Sequence, residues 1–210
     1  MNVTDYPEIT VILRGYSQDQ AETVMSILTS TKRHYAVEVT MNTVGATEII
    51  RHGAASFGDK LLIGAGTVMT VQDAKQAIDA GARFVLSPTL LPKEVLSLCK
   101  SNGLTTITGA YSPSEVVEAF DRGTDIVKIF PAHLNGPGYF QDIQAPLGKK
   151  PLMAVGGINK QNARSFLNAG ATYLGIGSGI FEKKDILSKN TEHLSKQLLA
   201  FEKELEGEKQ

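Results

Sequence analysis

Asp125-Ile126-Val127-Lys128-Ile129-Phe130-Pro131-Ala132 is the stretch on which the reading of this chain turns. It reads as a buried strand, Ile126 to Phe130, stopped by a proline. A strand with one solvated face alternates polar and apolar residues, and this one does not. Its single charge is Lys128, and lysines are rarely fully buried unless paired or functional. Lys128 is therefore either a structural or edge lysine, or a lysine set in an apolar pocket. Burial there lowers its pKa, and a neutral amine is a nucleophile towards carbonyls.

Outward from this strand, short apolar runs alternate with amphipathic segments along the whole chain. Strands are expected at Ile9–Arg14, Tyr35–Met41, Leu61–Ile63, Arg83–Leu86, Leu104–Thr108, Leu152–Val155 and Thr172–Ile176. Helices are expected between them. Ser17 or Asp19 caps the first, Thr70 one through Ala80, Ser112-Pro113 opens one to about Asp121, and Asn159 caps one through Asn168. A last helix over about 188–205 carries Leu194, Leu198, Phe201 and Leu205 on one face, and Glu206 to Gln210 is expected to fray. About eight strand–helix units result. Their alternation means a parallel sheet with crossover helices, and in so short a chain it fits an α/β fold of the (β/α)8 TIM-barrel type. A doubly wound open sheet is the competing topology. No linker or composition shift marks a second domain, so residues 1–210 read as one unit.

Composition narrows the function classes. Hydrophobic residues at 42% and charged residues at 20% are ordinary for a soluble globular chain. A net charge of −1 without a basic block argues against nucleic-acid or anionic-membrane partners. The lone cysteine, Cys99, allows no intrachain disulfide and lies in an apolar helical pattern, where an inert buried thiol is the default. No cationic leader with an apolar run opens the chain, and no apolar run is long enough to span a membrane, so a cytoplasmic protein is expected.

A barrel places its active site at the carboxyl ends of its strands. Those ends read Arg14, Glu38, Thr67, Pro88, Gly109, Lys128, Gly156-Gly157 and Gly177-Ser178. Alternation in Val37-Glu38-Val39 sends Glu38 inward, and in the central strand it sends Lys128 inward beside Ile126 and Phe130. The two form either a structural ion pair or a general base beside an amine nucleophile. Gly156-Gly157 and Gly177-Ser178 follow the last two strands, where backbone N–H groups and a following helix N-terminus can bind phosphate; tight turns are the alternative. Gly64-Ala65-Gly66 lacks the third glycine of a dinucleotide fingerprint. His34, His52, His133 and His193 show no metal-ligand spacing, so no metal is expected. His133 reads as a loop residue at the barrel mouth. No Gly-x-Ser-x-Gly elbow is present, which leaves the lysine as the candidate nucleophile.

The set Glu38-Val39-Thr40, Gly64-Ala65-Gly66-Thr67-Val68, Ser87-Pro88, Lys128-Ile129-Phe130-Pro131-Ala132, Gly156-Gly157-Ile158 and Gly177-Ser178 resembles the KDPG/KHG aldolase family. These are class I, Schiff-base aldolases acting on 2-keto-3-deoxy-6-phospho sugar acids. The likeness runs from Val11 to about Phe181. It implies a homotrimer of (β/α)8 barrels, Lys128 as Schiff-base lysine and Glu38 as general acid/base. It also implies Thr67 near the pyruvate carboxylate, and Gly157, Gly177 and Ser178, with Gly156 adjacent, as the phosphate-binding backbone. Pro88 and Phe130 would be apolar walls, and no cofactor is needed because the lysine supplies the covalent chemistry.

The chain also departs from that pattern. Many members carry an arginine four residues after the glutamate, where this chain has Asn42, so the carboxylate is assigned to Arg14 and Thr67. Ile12-Leu13-Arg14-Gly15, Asn42 and Val155 look like the phosphogalactonate branch, whereas Val39-Thr40 looks like the phosphogluconate branch. Thr108-Gly109 replaces a Pro-Gly at the pocket wall. The expected reaction is cleavage to pyruvate and glyceraldehyde 3-phosphate, with 4-hydroxy-2-oxoglutarate a further candidate substrate. The competing readings are a thiamine-phosphate-synthase-like or epimerase-like phosphate barrel and a non-catalytic sugar-phosphate binder.

Overall fold

The computed structural model describes residues 3–207. Eight parallel strands close into a barrel in chain order: β1 (Ile9–Leu13), β2 (Tyr35–Thr40), β3 (Leu61–Gly66), β4 (Phe84–Leu86), β5 (Thr105–Ala110), β6 (Ile126–Ile129), β7 (Leu152–Val155) and β8 (Tyr173–Ile176). Pairing of Val11 with Ile176 joins the last strand to the first. The open-sheet alternative is thereby excluded. Helices α1 (Gln18–Leu28), α2 (Ala46–Phe57), α3 (Val71–Asp79), α4 (Lys93–Ser101), α5 (Pro113–Asp121), α6 (Gly138–Leu147), α7 (Ala163–Asn168), α8 (Lys183–Leu187) and α9 (Thr191–Glu206) cover the outside. None is long and apolar enough to cross a membrane.

Two apolar layers follow from strand alternation. Val127 and Ile129 point outward into the layer shared with the helices, and Ile126 belongs to the layer inside the barrel. Tyr6, just before β1, plugs the amino-terminal end of the barrel. Its ring meets Phe84 and Tyr173 edge-on at 5.3 and 5.4 Å. The opposite, carboxyl-terminal end stays open.

Local chemistry sets several boundaries. Ser17, rather than Asp19, caps α1 through a reciprocal box with Gln20, and Thr70 and Ser112 cap α3 and α5 in the same way. The expected strand end at Ile63 is corrected: β3 continues through Gly64-Ala65-Gly66, paired with Glu38-Val39-Thr40. A Cβ on Gly64 would lie 2.4 Å from the Phe84 ring, so the glycine lets that ring fill the barrel. The expected cap at Asn159 is also corrected, because α7 starts at Ala163 and Asn159 lies in the preceding turn. The last helix starts at Thr191, behind Asn190 as its cap. Lys189, with φ of 53°, separates it from α8. Glu206 closes α9, and residues 208–210 of the segment expected to fray lie outside the described residues.

Candidate active site

Lys128 sits on β6 with its side chain inside the barrel and is only 5% exposed. Burial pulls its amine down to about 8; Glu38 opposes that pull and Arg14 adds to it. At pH 7 about a tenth of the amine is then unprotonated, against a negligible fraction at the ordinary lysine value. Phe130 lies just past the end of β6, 41% exposed, so the strand is one residue shorter than expected. Its ring faces the amine, with Nζ 4.9 Å from the centroid.

Glu38 comes from β2 and is 1% exposed. Burial raises its carboxyl to about 7, against the lowering pull of Lys128 and then Arg14. Its Oε2 is buried without a hydrogen-bond partner. Among the described residues no ion pair joins Glu38 to Lys128. The structural ion pair left open by the sequence is therefore absent. A buried carboxylate oxygen with no partner is costly, and groups left so are typical of functional sites. Gly66 makes the placement possible: a Cβ there would stand 1.5 Å from Glu38 Oε1.

The open end of the barrel holds a cavity of about 420 Å³. Lys128, Glu38, Arg14, Thr67, Pro88, Phe130, Gly156, Gly157, Gly177 and Ser178 all line it. Arg14 is on its wall and Asn42 is not. Thr67 has φ of 55°, a left-handed conformation that costs a β-branched residue roughly 1–2 kcal/mol. Such strain concentrates at ligand-holding positions. Gly156 and Gly157, with φ of 99° and 75°, form a turn that L side chains adopt at a cost. A Cβ on Gly157 would also meet the His133 side chain at 2.5 Å. Asn162 Nδ2 donates to the Gly157 carbonyl at 2.9 Å and fixes that turn. The helices after these turns begin only at Ala163 and Lys183. What these turns present to the cavity is backbone and the Ser178 hydroxyl, and the helix N-termini expected to assist do not abut them.

Other expectations separate from the site. Thr108 lies level with outward-facing Val127, so the residue standing for the usual proline faces the helices and leaves the pocket wall unaltered. His133 is exposed in the turn after β6 and does not line the cavity. His52 pairs with Glu22 and His193 with Asp185 on the outer helices. Among the described residues no cluster of three or more His, Cys, Asp or Glu side chains could hold a metal. Cys99 is buried, and burial pushes its thiol up to about 11, which makes it a poor nucleophile.

The cavity also has walls that strand-end counting misses: Ile12, Tyr16, Val155, Ile158 and Gly175. Ile12 pairs in register with Glu38, so period-two alternation from Arg14 finds it. Gly175 is a glycine inside a strand, itself a sign of close approach.

The sequence profile described as KDPG and KHG aldolase matches residues 3–197. The chain belongs to this aldolase family. A probable 2-dehydro-3-deoxy-6-phosphogalactonate aldolase of Rhizobium meliloti (strain 1021) is 31% identical over 175 residues, which is 83% of this chain and 82% of the relative. A 2-dehydro-3-deoxy-phosphogluconate aldolase of Treponema pallidum (strain Nichols) is 34% identical over 166 residues, covering 74% of this chain and 78% of the relative. Among solved structures, the KDPG aldolase of Legionella pneumophila superposes with a TM-score of 0.84 at 27% identity, covering 95% of this chain and 96% of that one. That crystal structure holds pyruvate captured at low pH as a covalent carbinolamine. In a KDPG and KHG aldolase, a buried amine beside an unpaired carboxylate at the mouth of the barrel has a direct chemical use.

Proposed function

We propose that this protein is a class I aldolase, a carbon–carbon lyase. It would cleave a 2-keto-3-deoxy-6-phospho sugar acid of the phosphogluconate or phosphogalactonate type into pyruvate and glyceraldehyde 3-phosphate. The observation that carries the reading is the Lys128 amine, buried and held near 8, sharing one cavity with a carboxylate that has no partner in the fold.

Neutral Lys128 attacks the C2 carbonyl and forms a carbinolamine, which loses water to give a protonated Schiff base. The cationic imine accepts the electron pair of the C3–C4 bond as that bond breaks. Glu38 takes the proton of the C4 hydroxyl, and its raised pKa suits it to hold and return that proton near neutrality. Glyceraldehyde 3-phosphate leaves, the enamine is protonated at C3, and hydrolysis releases pyruvate from Lys128. Arg14 and Thr67 hold the carboxylate and fix the angle of attack. Pro88 and Phe130 keep water from the amine, and the turns at Gly156-Gly157 and Gly177-Ser178 take the phosphate. The smaller 4-hydroxy-2-oxoglutarate fits the same chemistry without the phosphate contacts.

Homotrimeric assembly in the cytoplasm completes the proposal. The family resemblance supports the trimer, and exposed Val44, Met69 and Leu134 offer apolar surface for association. The lone buried thiol is in keeping with a reducing compartment. A coupled assay with lactate dehydrogenase tests the activity: each phosphorylated epimer is supplied and pyruvate release is followed. Release from at least one epimer, lost in Lys128→Met, is the expected result. No release from either epimer by folded protein would overturn the assignment.

A further inference from the structure

The chain has six tyrosines, and five of their hydroxyls are hydrogen-bonded within the fold. Tyr6 bonds Thr10, Tyr35 bonds Glu202, Tyr111 bonds Asn135, Tyr139 bonds the Tyr111 carbonyl and Tyr173 bonds the Val3 carbonyl. Tyr16 is the exception: its hydroxyl has no hydrogen-bond partner among the described residues, and its side chain lines the active-site cavity. A tyrosine hydroxyl buried in the fold normally finds a partner there, whereas one at an open cavity is left to solvent or a ligand. A tyrosine that lacks one, and faces the cavity, has a donor left for a ligand.

Its position is fixed from both sides. Gly15 N donates to Thr43 Oγ1 at 2.9 Å, and that hydroxyl is 2.9 Å from Thr40 Oγ1, tying the loop to the end of β2. Ser17 begins the reciprocal cap of α1. The Tyr16 ring packs on the apolar layer between barrel and helices. Little side-chain freedom is left to lose on binding.

The cationic side chains on the cavity wall are Lys128 and Arg14, which serve the keto-acid end in the mechanism above. The phosphate turns offer only backbone and the Ser178 hydroxyl. Because β1 pairs with β8, the loop carrying Tyr16 neighbours the loop carrying Gly177 and Ser178. We propose that Tyr16 is a specificity residue that binds the phosphate-bearing end of the substrate, its phenol O–H donating to a phosphate oxygen. This rests on the aldolase reading of the same cavity.

Tyr16→Phe removes the donor and keeps the ring. The test compares kcat/KM for a phosphorylated 2-keto-3-deoxy sugar acid with that for its unphosphorylated counterpart, in the wild type and the variant. The preference for the phosphorylated substrate is expected to fall roughly tenfold, the scale of a hydrogen bond to a charged group. The loss should appear in KM, and inorganic phosphate should inhibit the variant correspondingly less well. An unchanged preference, or a fall in kcat at unchanged KM, would overturn the proposal. Borohydride trapping of pyruvate separates this failure from that of the aldolase reading. Adduct formation by Tyr16→Phe with an unchanged phosphate preference sinks only the role of Tyr16. A wild type that forms no adduct sinks both.

Discussion

The two buried ionisable groups make a specific demand on stability, and the double variant Lys128→Met/Glu38→Gln measures it. Glu38 rises from 4.5 unfolded to about 7 folded. A raised folded pKa contributes stability that is present below pH 4.5 and lost as pH climbs through 7. That shift is about 3 kcal/mol. Lys128 drops from 10.5 unfolded to about 8 folded. A depressed folded pKa contributes stability that is present above pH 10.5 and lost as pH falls through 8, again about 3 kcal/mol. The wild type is thus held down most between pH 7 and 8, where both groups are charged. The double variant titrates at neither position, and every other group is common to both proteins. Urea unfolding followed by circular dichroism, at fixed protein concentration, should show the variant's advantage growing by about 3 kcal/mol from pH 4.5 to pH 7.5. It should shrink again by a similar amount towards pH 10.5. An advantage that stays constant across this range would refute the argument that burial sets these pKa values.

Three further outcomes follow from the same geometry. Glu38→Gln should slow aldol cleavage by on the order of 100-fold or more while the pyruvate adduct on Lys128 still forms; unchanged turnover would remove its role in proton transfer. Gly66→Ala should lower kcat similarly, because its Cβ would claim the space of Glu38 Oε1; wild-type kcat with intact circular dichroism would show that the carboxylate does not need this position. Arg14→Ala should weaken pyruvate binding by roughly tenfold or more in calorimetry, the scale of a charged hydrogen bond; equal affinity would return the carboxylate to other groups.

The barrel was legible in the sequence because strand and helix periods alternate and the cap residues sit where the helices begin. Ser17, Thr70 and Ser112 announce their helices by chemistry that needs no tertiary context. Gly64-Ala65-Gly66 misled for the opposite reason. Its local preference is a turn, yet pairing with β2 holds it extended, and the missing side chains make room for Phe84 and Glu38. That is a tertiary demand which one segment does not carry. The start of the last helix depended on the left-handed backbone at Lys189, a residue type that gives no warning of it.

The candidate site was legible where chemistry marks it. Lys128 and Glu38 stand out as charges in apolar strands, and alternation alone turns both inward. Tyr16 and Ile12 escape a strand-end count because they flank the residue that count takes from the first strand, Ile12 two positions before Arg14 and Tyr16 two after. Arg14 takes the carboxylate on paper because Asn42 stands where many family members carry arginine, and the closed barrel puts Arg14 on the cavity wall and leaves Asn42 off it. The empty hydrogen-bonding capacity of Glu38 Oε2 and of the Tyr16 hydroxyl needs coordinates, because an unpaired atom is a property of its neighbours.

The central claim is that Lys128 is the covalent nucleophile. Incubating the folded protein with saturating pyruvate, reducing with borohydride and mapping the product by mass spectrometry tests it directly. One reduced pyruvate adduct is expected, on Lys128, and none on that site in Lys128→Met. A folded protein that forms no adduct, or an adduct on a different lysine, would contradict it.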